Sequence, residues 1–161
     1  MKPTKILFVC TGNVFRSMIA EYCLKKYCEL NKIKNIEVAS AGVTGNNPQN
    51  ILYEVKDELQ TIGIDCSPHR RRKLNQEHIT NYDLIVSMST DHQQYIKEKF
   101  NYKSPLFYEV CYNKKVPVKD NVEALDDTSG FVDEMFDRQM VKNIWKDMPF
   151  FYKNYKKYLK K

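Results

Sequence analysis

The chain has 161 residues with a net charge of +6 at pH 7, and 42% of its residues are hydrophobic. This length suits one domain, residues 1–161, with a substantial core, and no apolar run is long enough to span a bilayer, which excludes a membrane protein. The residues before the first predicted strand contain no apolar stretch, so we expect no signal peptide.

The chain contains five cysteines, an odd number that disulfide pairing cannot use completely. A reducing compartment is the simplest explanation, so we expect a cytoplasmic protein. We expect surface or capping roles for the histidines and no metal, because they form no ligand set typical of a zinc site. The residues concerned are Cys10, Cys23, Cys28, Cys66, Cys111, His69, His78 and His92.

The first predicted elements are a strand and a helix joined by a short loop. Lys5–Val9 is continuously apolar after its first residue, as in a strand buried on both faces of a parallel sheet. From Ser17, a preferred N-cap residue, apolar residues recur at helical spacing. The helical positions are Ile19, Ala20, Cys23, Leu24, Tyr27 and Leu30.

The loop between this strand and this helix has the composition of a phosphate-binding site. It ends at a helix N-terminus, where unpaired N–H groups and the helix dipole attract an anion. Gly12 permits a tight conformation, and Arg16 adds a planar cation that binds two phosphate oxygens. The predicted phosphate-binding residues are Thr11, Gly12, Asn13, Val14, Phe15, Arg16 and Ser17.

Cys10 lies at the base of this loop, where the same positive field stabilises a thiolate nucleophile. We expect the Ser17 hydroxyl to donate to the sulfur and Asn13 to brace the loop. The alternative is that Cys10 is an ordinary buried cysteine and Arg16 a solvated surface residue. We favour the catalytic interpretation because the Cys-x5-Arg spacing occurs between a strand and a helix.

The middle of the chain continues the alternation of helix and strand. Asn47 and Pro48 predict the start of a helix that ends at Gly63. Leu84–Met88 predicts the next buried strand, and Ser89 caps the helix that follows it.

Leu106–Val110 predicts a fourth strand, and a final helix begins near Phe131 with a kink or interruption at Pro149. This alternation predicts an α/β domain with an open, parallel, four-stranded sheet, helices on both faces and the phosphate loop after the first strand. In such a sheet the ligand lies beyond the carboxyl ends of the strands, where Cys10 falls.

Four segments resemble the low-molecular-weight phosphotyrosine protein phosphatases and the related bacterial protein-arginine phosphatases and arsenate reductases. They are Val9–Glu21, Val38–Gly42, Gly63–Arg70 and Asp83–Met88. The first is similar to the family's phosphate-binding signature, whose cysteine, asparagine, arginine and serine fall at Cys10, Asn13, Arg16 and Ser17. The resemblance implies hydrolysis of protein phosphomonoesters, phosphotyrosine first and phosphoarginine second, through a phosphocysteine intermediate and without a cofactor or metal.

The family's general acid is an aspartate in an Asp-Pro loop, and here Leu125–Gly130 contains two adjacent aspartates and no proline. Matching the segment without a gap assigns the acid to Asp126, whereas reading Asp127–Gly130 as a degenerate motif assigns it to Asp127. We favour Asp126 and keep Asp127 as the alternative. A third interpretation makes both aspartates turn or N-cap residues ahead of the last helix.

The resemblance leaves the substrate open, because the aromatic residues that flank the substrate ring in phosphotyrosine-directed members are missing. Their places hold Thr128, Ser129, Asn46 and Asn47. Thr11 and Met88–His92 resemble instead the arginine-phosphatase branch.

Two other functions remain open from the sequence. An arsenate reductase needs further cysteines after the third strand, but residues 83–110 contain none and Cys111 is a poor substitute. A non-catalytic phosphate- or polyanion-binding module needs only the loop, and the missing Asp-Pro supports it.

Basic residues cluster at His69–Lys73 and Lys153–Lys161. Such clusters suit the attraction of an acidic phosphoprotein or another polyanion, or simply a solvated surface. We expect a phosphorylated protein as the partner, no nucleic acid and no membrane, and a monomer or a weak dimer.

Overall fold

Three parallel strands form the sheet of the computed structural model, which describes residues 2–44, 50–119 and 130–161, except the side chains of residues 130–133. β1 (Thr4–Cys10) lies between β2 (Ile36–Gly42) and β3 (Leu84–Ser87). Residues Ile6–Val9 of β1 are completely buried, because the central strand of a parallel sheet is covered on both faces. The predicted α/β class with a parallel sheet is confirmed.

Helices connect the strands and pack on the sheet. They are α1 (Arg16–Leu30), α2 (Tyr53–Thr61), α3 (Gln76–Asn81), α4 (Thr90–Phe100), α5 (Phe107–Tyr112) and α6 (Gly130–Asn154). Ser89 is the N-cap of α4, as predicted. Asn47 and Pro48, the predicted start of the second helix, lie outside the described residues, and α2 begins at Tyr53 and is followed by Gly63 with φ of +81°.

The predicted fourth strand at Leu106–Val110 is wrong, since the sheet has three strands in the described part of the chain. Leu106 forms one parallel bridge with Ser87, and α5 begins at the next residue. Phe107 and Val110 are buried at helical spacing, and the Glu109 carboxylate accepts a hydrogen bond from the Leu106 amide at 3.3 Å. A short apolar run is compatible with a strand or a helix. In this segment the capping contact at Leu106 and the burial of residues at helical spacing both favour the helix.

α6 continues through Pro149 without interruption, and a 3₁₀ turn at Tyr155–Tyr158 follows it. Its core side is formed by residues such as Ile144 and Met148, whereas Met135, one of its apolar residues, is 57% exposed. In the described segments, no helix combines the length and the apolar character needed to cross a membrane.

The side chains of β1 alternate between two hydrophobic cores, one on each face of the sheet. Ile6 and Phe8 pack with residues of α1, α2, α5 and α6, while Leu7 and Val9 pack with residues of α3 and α4. The predicted placement of helices on both faces is therefore confirmed. Cys10 ends β1, so the loop that follows it lies at the carboxyl edge of the sheet.

Candidate active site

The loop from Cys10 to Arg16 turns at Asn13, which has a left-handed conformation with φ of +59°. The tight conformation was expected at Gly12, but the positive φ falls on the next residue, and asparagine tolerates this region better than most residues do. This conformation brings the Asn13 backbone N–H to 3.3 Å from the Cys10 sulfur. The loop therefore curls back over the end of β1.

The Cys10 thiol is buried and has two hydrogen-bond donors beside it. The Ser17 hydroxyl lies 2.9 Å from the sulfur, in addition to the Asn13 N–H. Asn13 Nδ2 donates to the Ser17 oxygen at 3.0 Å, and the Ser17 proton has two acceptors within reach, the Cys10 sulfur at 2.9 Å and the Ala41 carbonyl at 3.4 Å. α1 begins at Arg16 with Phe15 in the N-cap position, so the expectation that Ser17 caps the helix is wrong. Its hydroxyl is directed to the sulfur instead.

Arg16 is 3% exposed, so the alternative of a solvated surface arginine is wrong. Its Nη1 donates to the Val118 carbonyl at 3.0 Å, and its Nη2 donates to the Thr11 hydroxyl at 3.4 Å. Val118 is itself held by its amide, which donates to the Met88 carbonyl at 2.7 Å. The Arg16 guanidinium is therefore oriented from two sides, by Val118 in the segment after α5 and by Thr11 in the loop.

The loop also presents backbone donors. The N–H groups of Gly12, Val14 and Phe15 have no acceptor among the residues that the structure describes. Unpaired N–H groups in a curled loop that leads into a helix form an anion-binding concavity. Together with Arg16, they suit a tetrahedral dianion such as phosphate.

A chain of buried polar side chains connects the loop to β2 and α1. Asn13 Nδ2 also donates to the Ser40 hydroxyl at 2.7 Å, and Ser40 donates to the Glu21 carboxylate at 2.6 Å. Glu21 accepts a further hydrogen bond from Lys25 at 2.5 Å. Because Asn13, Ser40 and Glu21 are buried and each is hydrogen-bonded, these side chains together hold Asn13 in its left-handed conformation.

His69 and the arginines after it support the other side of the loop. His69 Nε2 donates to the Asn13 carbonyl at 2.7 Å, and the Arg72 backbone N–H donates to Asn13 Oδ1 at 3.0 Å. Arg71 Nε donates to the Gly12 carbonyl at 2.8 Å. His69 is buried and has neither the surface role nor the helix-capping role expected of it, and this burial lowers its pKa. It therefore contacts the loop as a neutral ring.

His92 is the second buried histidine of the site, and it has a capping role, the second of the two roles expected for the histidines. Its Nδ1 accepts the Ser89 backbone N–H at 3.1 Å, and its Nε2 lies 2.9 Å from the Thr11 hydroxyl oxygen. Burial, followed by the nearby Arg16 charge, lowers the pKa of His92 to about 4, although Asp91 acts in the opposite direction. At neutral pH the proton of the ring is therefore on Nε2, facing Thr11.

Gly42, at the end of β2, allows the loop to pass close to the sheet. A Cβ atom at this position would lie 2.6 Å from the Thr11 carbonyl oxygen and 2.8 Å from the Thr44 carbonyl oxygen. The backbone beyond Gly42 pairs with the loop. The Val43 amide donates to the Cys10 carbonyl at 3.0 Å, and the Thr44 amide donates to the Thr11 carbonyl at 2.9 Å. β2 therefore fixes the first half of the loop from one side.

The structure brings together eight of the predicted site residues, Cys10 and residues 11–17, with the Ser17 hydroxyl 2.9 Å from the sulfur. The general-acid candidates Asp126 and Asp127, and the wall residues Thr128, Ser129, Asn46 and Asn47, lie outside the described residues. The described residues contain no group of three or more histidine, cysteine or carboxylate side chains that could hold a metal ion.

Sequence reasoning missed the residues that hold the loop from elsewhere in the chain. Glu21 and Ser40 are polar residues at buried positions of a helix and a strand, and such positions signal a hydrogen-bonded role. His69 and His92 were expected in surface or capping roles and not in contact with the loop. Val118 contributes a backbone carbonyl, for which a sequence gives no signal.

Comparison with known proteins connects this geometry to a family. The family described as low molecular weight phosphotyrosine protein phosphatase matches residues 5–136. The chain is 37% identical over 98 residues to the low molecular weight protein-tyrosine-phosphatase Ptp of Acinetobacter johnsonii, a match that covers 61% of this chain and 66% of that protein.

An arginine-directed relative is similarly close. The chain is 36% identical over 98 residues to a protein-arginine-phosphatase of Geobacillus stearothermophilus, a match that covers 61% of this chain and 63% of that protein. The solved structure of the YwlE arginine phosphatase from Geobacillus stearothermophilus has a TM-score of 0.77 and 25% identity, covering 96% of this chain and 94% of that one. The two sequence matches span just under two thirds of each relative's length, whereas the structural match spans nearly all of it.

Proposed function

This chain belongs to the low molecular weight phosphotyrosine protein phosphatase family, a family of cysteine-based hydrolases, and we propose that it hydrolyses phosphorylated protein side chains through a phosphocysteine intermediate. One observation carries the proposal. The buried Cys10 sulfur accepts the Asn13 N–H at 3.3 Å and has the Ser17 hydroxyl within donating distance at 2.9 Å, at the base of an anion-binding loop. Such donors stabilise a thiolate rather than a thiol.

In the first step the Cys10 thiolate attacks phosphorus in line with the bond to the leaving group. An S–P bond forms, the bond between phosphorus and the leaving oxygen breaks, and that oxygen takes a proton from the general acid. Asp126 is our first candidate for this acid and Asp127 the second. In the second step water attacks phosphorus with the same aspartate as base, which releases phosphate and restores the thiolate.

Arg16 and the loop amides stabilise the charge on the phosphoryl oxygens during both steps. The Val118 carbonyl and the Thr11 hydroxyl hold the Arg16 guanidinium in place before the substrate arrives, at 3.0 and 3.4 Å. This preorganisation reduces the rearrangement needed in the transition state. The Ser17 hydroxyl acts in both steps: it stabilises the Cys10 thiolate before the attack on phosphorus and again when the S–P bond breaks.

We place phosphotyrosine first as substrate because two residues of the loop are apolar. Val14 is half-buried and Phe15 is largely buried, and neither offers an acceptor for the N–H groups of a guanidinium. Phosphoarginine is the second candidate, because the Thr11 hydroxyl places a polar group at the first position of the loop and because the Geobacillus stearothermophilus relative is named a protein-arginine-phosphatase.

Arsenate reduction is a weaker alternative. The cysteine nearest in the chain to the region where relatives carry further redox cysteines is Cys111, which is 2% exposed. Its sulfur lies 3.8 Å from the Asp147 carbonyl of α6, and burial raises its pKa. A buried, protonated thiol is a poor partner for disulfide exchange.

The test is turnover of p-nitrophenyl phosphate and of phosphotyrosine, phosphoarginine and phosphoserine peptides. Cys10→Ser is expected to abolish turnover with the fold retained by circular dichroism, while the matched control Cys28→Ser, a buried thiol elsewhere on α1, keeps it. Appreciable hydrolysis by Cys10→Ser overturns the phosphocysteine mechanism. Equal and feeble rates on all three peptides favour the non-catalytic module.

The acid is identified by comparing Asp126→Ala with Asp127→Ala. Loss of the acid should slow the hydrolysis of an alkyl phosphate far more than that of p-nitrophenyl phosphate, because p-nitrophenolate leaves without a proton. The variant that shows this leaving-group dependence and a changed pH profile carries the acid. If neither does, the assignment of the acid to this loop is wrong.

A further inference from the structure

The segment Arg70–Lys73 runs alongside the phosphate loop and is fixed there by its backbone. The Arg72 carbonyl accepts the Gly42 amide at 2.8 Å, and Lys73 forms a parallel bridge with Gly42. Arg71 reaches the loop itself through the hydrogen bond from Nε to the Gly12 carbonyl. Arg71 is therefore held next to the place where the substrate phosphate would bind, within a run of four consecutive cationic residues.

The positive charge of this segment is not neutralised within the described part of the chain. None of its four side chains has a carboxylate within 4.0 Å there, and the nearby Glu21 is already bound by Lys25 and Ser40. Arg71 Nη1 is buried and has no hydrogen-bond partner among the residues that the structure describes, although Nε of the same guanidinium donates to the loop. Arg71 is half-buried, and its neighbours Arg70 and Arg72 are exposed.

We propose that Arg71 is the centre of a second anion-binding position, which takes an aspartate or glutamate of the substrate protein close to the phosphorylated residue. This inference rests on the proposed function. Guanidinium and carboxylate groups match in geometry, and charge-assisted hydrogen bonds are the strong ones. Because Arg71 contacts the loop, the acidic residue lies within about two residues of the phosphorylated one in an extended peptide, which spans roughly 3.3–3.6 Å per residue.

The probe is a pair of phosphotyrosine peptides that differ only in having glutamates or glutamines on both sides of the phosphotyrosine. The readout is the ratio of kcat/KM for the acidic peptide to that for the neutral one. In this ratio any general effect of a variant on the chemistry cancels. For the unchanged protein at low salt we expect a ratio of about 10, since a hydrogen bond to a charged group is worth about that factor.

Three variants separate the contributions of the Arg71 charge, of its planar guanidinium and of the overall charge of the protein. Arg71→Gln should bring the ratio close to 1, and Arg71→Lys should keep an intermediate value because the charge remains without the planar fork. Lys153→Gln on α6 is the matched control, since it removes the same charge from an exposed position far along the chain and should leave the ratio unchanged.

A ratio near 1 in the unchanged protein, or an unchanged ratio in Arg71→Gln, overturns the inference. So does an equal fall in Arg71→Gln and Lys153→Gln, which would mean that overall charge attracts the peptide. If the protein hydrolyses neither the peptides nor p-nitrophenyl phosphate, the proposed function fails instead. The Kd ratio of the same two peptides for Cys10→Ser, by fluorescence anisotropy, then tests Arg71 independently of turnover.

Discussion

His92 donates a hydrogen bond through Nε2 to the hydroxyl oxygen of Thr11, 2.9 Å away. The direction follows from the other ring nitrogen, because Nδ1 accepts the Ser89 N–H and cannot carry the proton. The same hydroxyl oxygen accepts from Arg16 Nη2 at 3.4 Å. With two donors on its oxygen, Thr11 has its own proton free to donate, and a bound phosphate oxygen is the natural acceptor.

This arrangement predicts that His92 acts through Thr11. His92→Phe and Thr11→Val should each lower kcat/KM by about 5- to 10-fold, the value of one hydrogen bond. The double variant should lose no more than the worse single variant, because both changes remove the same oriented proton. His92→Gln, which keeps an N–H donor, should restore part of the rate.

The measurement is kcat/KM for p-nitrophenyl phosphate in the unchanged protein and the four variants, with urea unfolding in parallel. Multiplicative losses in the double variant would show that the two residues act independently. A loss of stability with unchanged kcat/KM would reduce His92 to a packing role.

The lowered pKa of His92 predicts a loss of stability in mild acid. Its pKa is about 4 in the folded protein against an ordinary value of 6.5, so between these values the unfolded chain binds more protons than the folded one. Stability therefore falls as the pH drops through this window, by about 2–3 kcal/mol at pH 4.5 relative to pH 7.5. His69 and His78, whose pKa values are also lowered, act in the same direction.

Urea unfolding at pH 7.5 and pH 4.5 measures this difference. In His92→Gln the difference should shrink by about 2 kcal/mol, because a residue that does not titrate replaces the one that does. An equal pH dependence in both proteins would contradict the assignment of a neutral His92 in the fold.

Much of this fold was predictable because the relevant signals are local. The strand before Cys10 is an unbroken apolar run, and the helix after the loop has a clear helical period, so β1, α1 and the loop between them follow from neighbouring residues. The helix within the region Leu106–Tyr112 was not predictable, because the short apolar run of this region suits a strand as well as a helix. Its helical state depends on contacts of Phe107 with Phe8 and Phe151 from other elements.

The support of the site was less predictable for the same reason. Thr11 and His92 are 81 residues apart in the chain, and Asn13 and His69 are 56 apart. A single sequence carries the residue types but not these pairings. The curl of the loop at Asn13 instead of Gly12 likewise depends on Ser40 and Arg72, which bind the asparagine side chain from two distant segments.

Gly42→Ala, a change at the end of β2, should disrupt the neighbouring loop from Cys10 to Arg16. The added methyl group would meet the carbonyl oxygens of Thr11 and Thr44, which are backbone atoms and cannot rotate away. We expect a loss of about 1–3 kcal/mol in stability and more than about 10-fold in kcat/KM. Gly63→Ala is the control, because its φ of +81° costs stability but its nearest atoms belong to the Lys26 side chain at 3.6 Å. Unchanged activity in Gly42→Ala would contradict this account.

Ser40→Ala tests the chain of polar side chains behind the loop. Removing the hydroxyl takes one acceptor from Asn13 Nδ2 and one donor from the buried Glu21 carboxylate, which should cost about 1–3 kcal/mol of stability. Because Asn13 also donates to Ser17, a less firmly held Asn13 should let the Ser17 hydroxyl move from the Cys10 sulfur and lower kcat.

The matched control is Ser104→Ala, which removes another buried hydroxyl, hydrogen-bonded to Ser87 at 2.6 Å and not to the loop. Both variants should lose stability in urea unfolding, but only Ser40→Ala should lower kcat for p-nitrophenyl phosphate. If the two variants lower kcat equally, the effect is one of general destabilisation. If Ser40→Ala keeps full activity, then Asn13 and Ser17 hold the sulfur without help from β2.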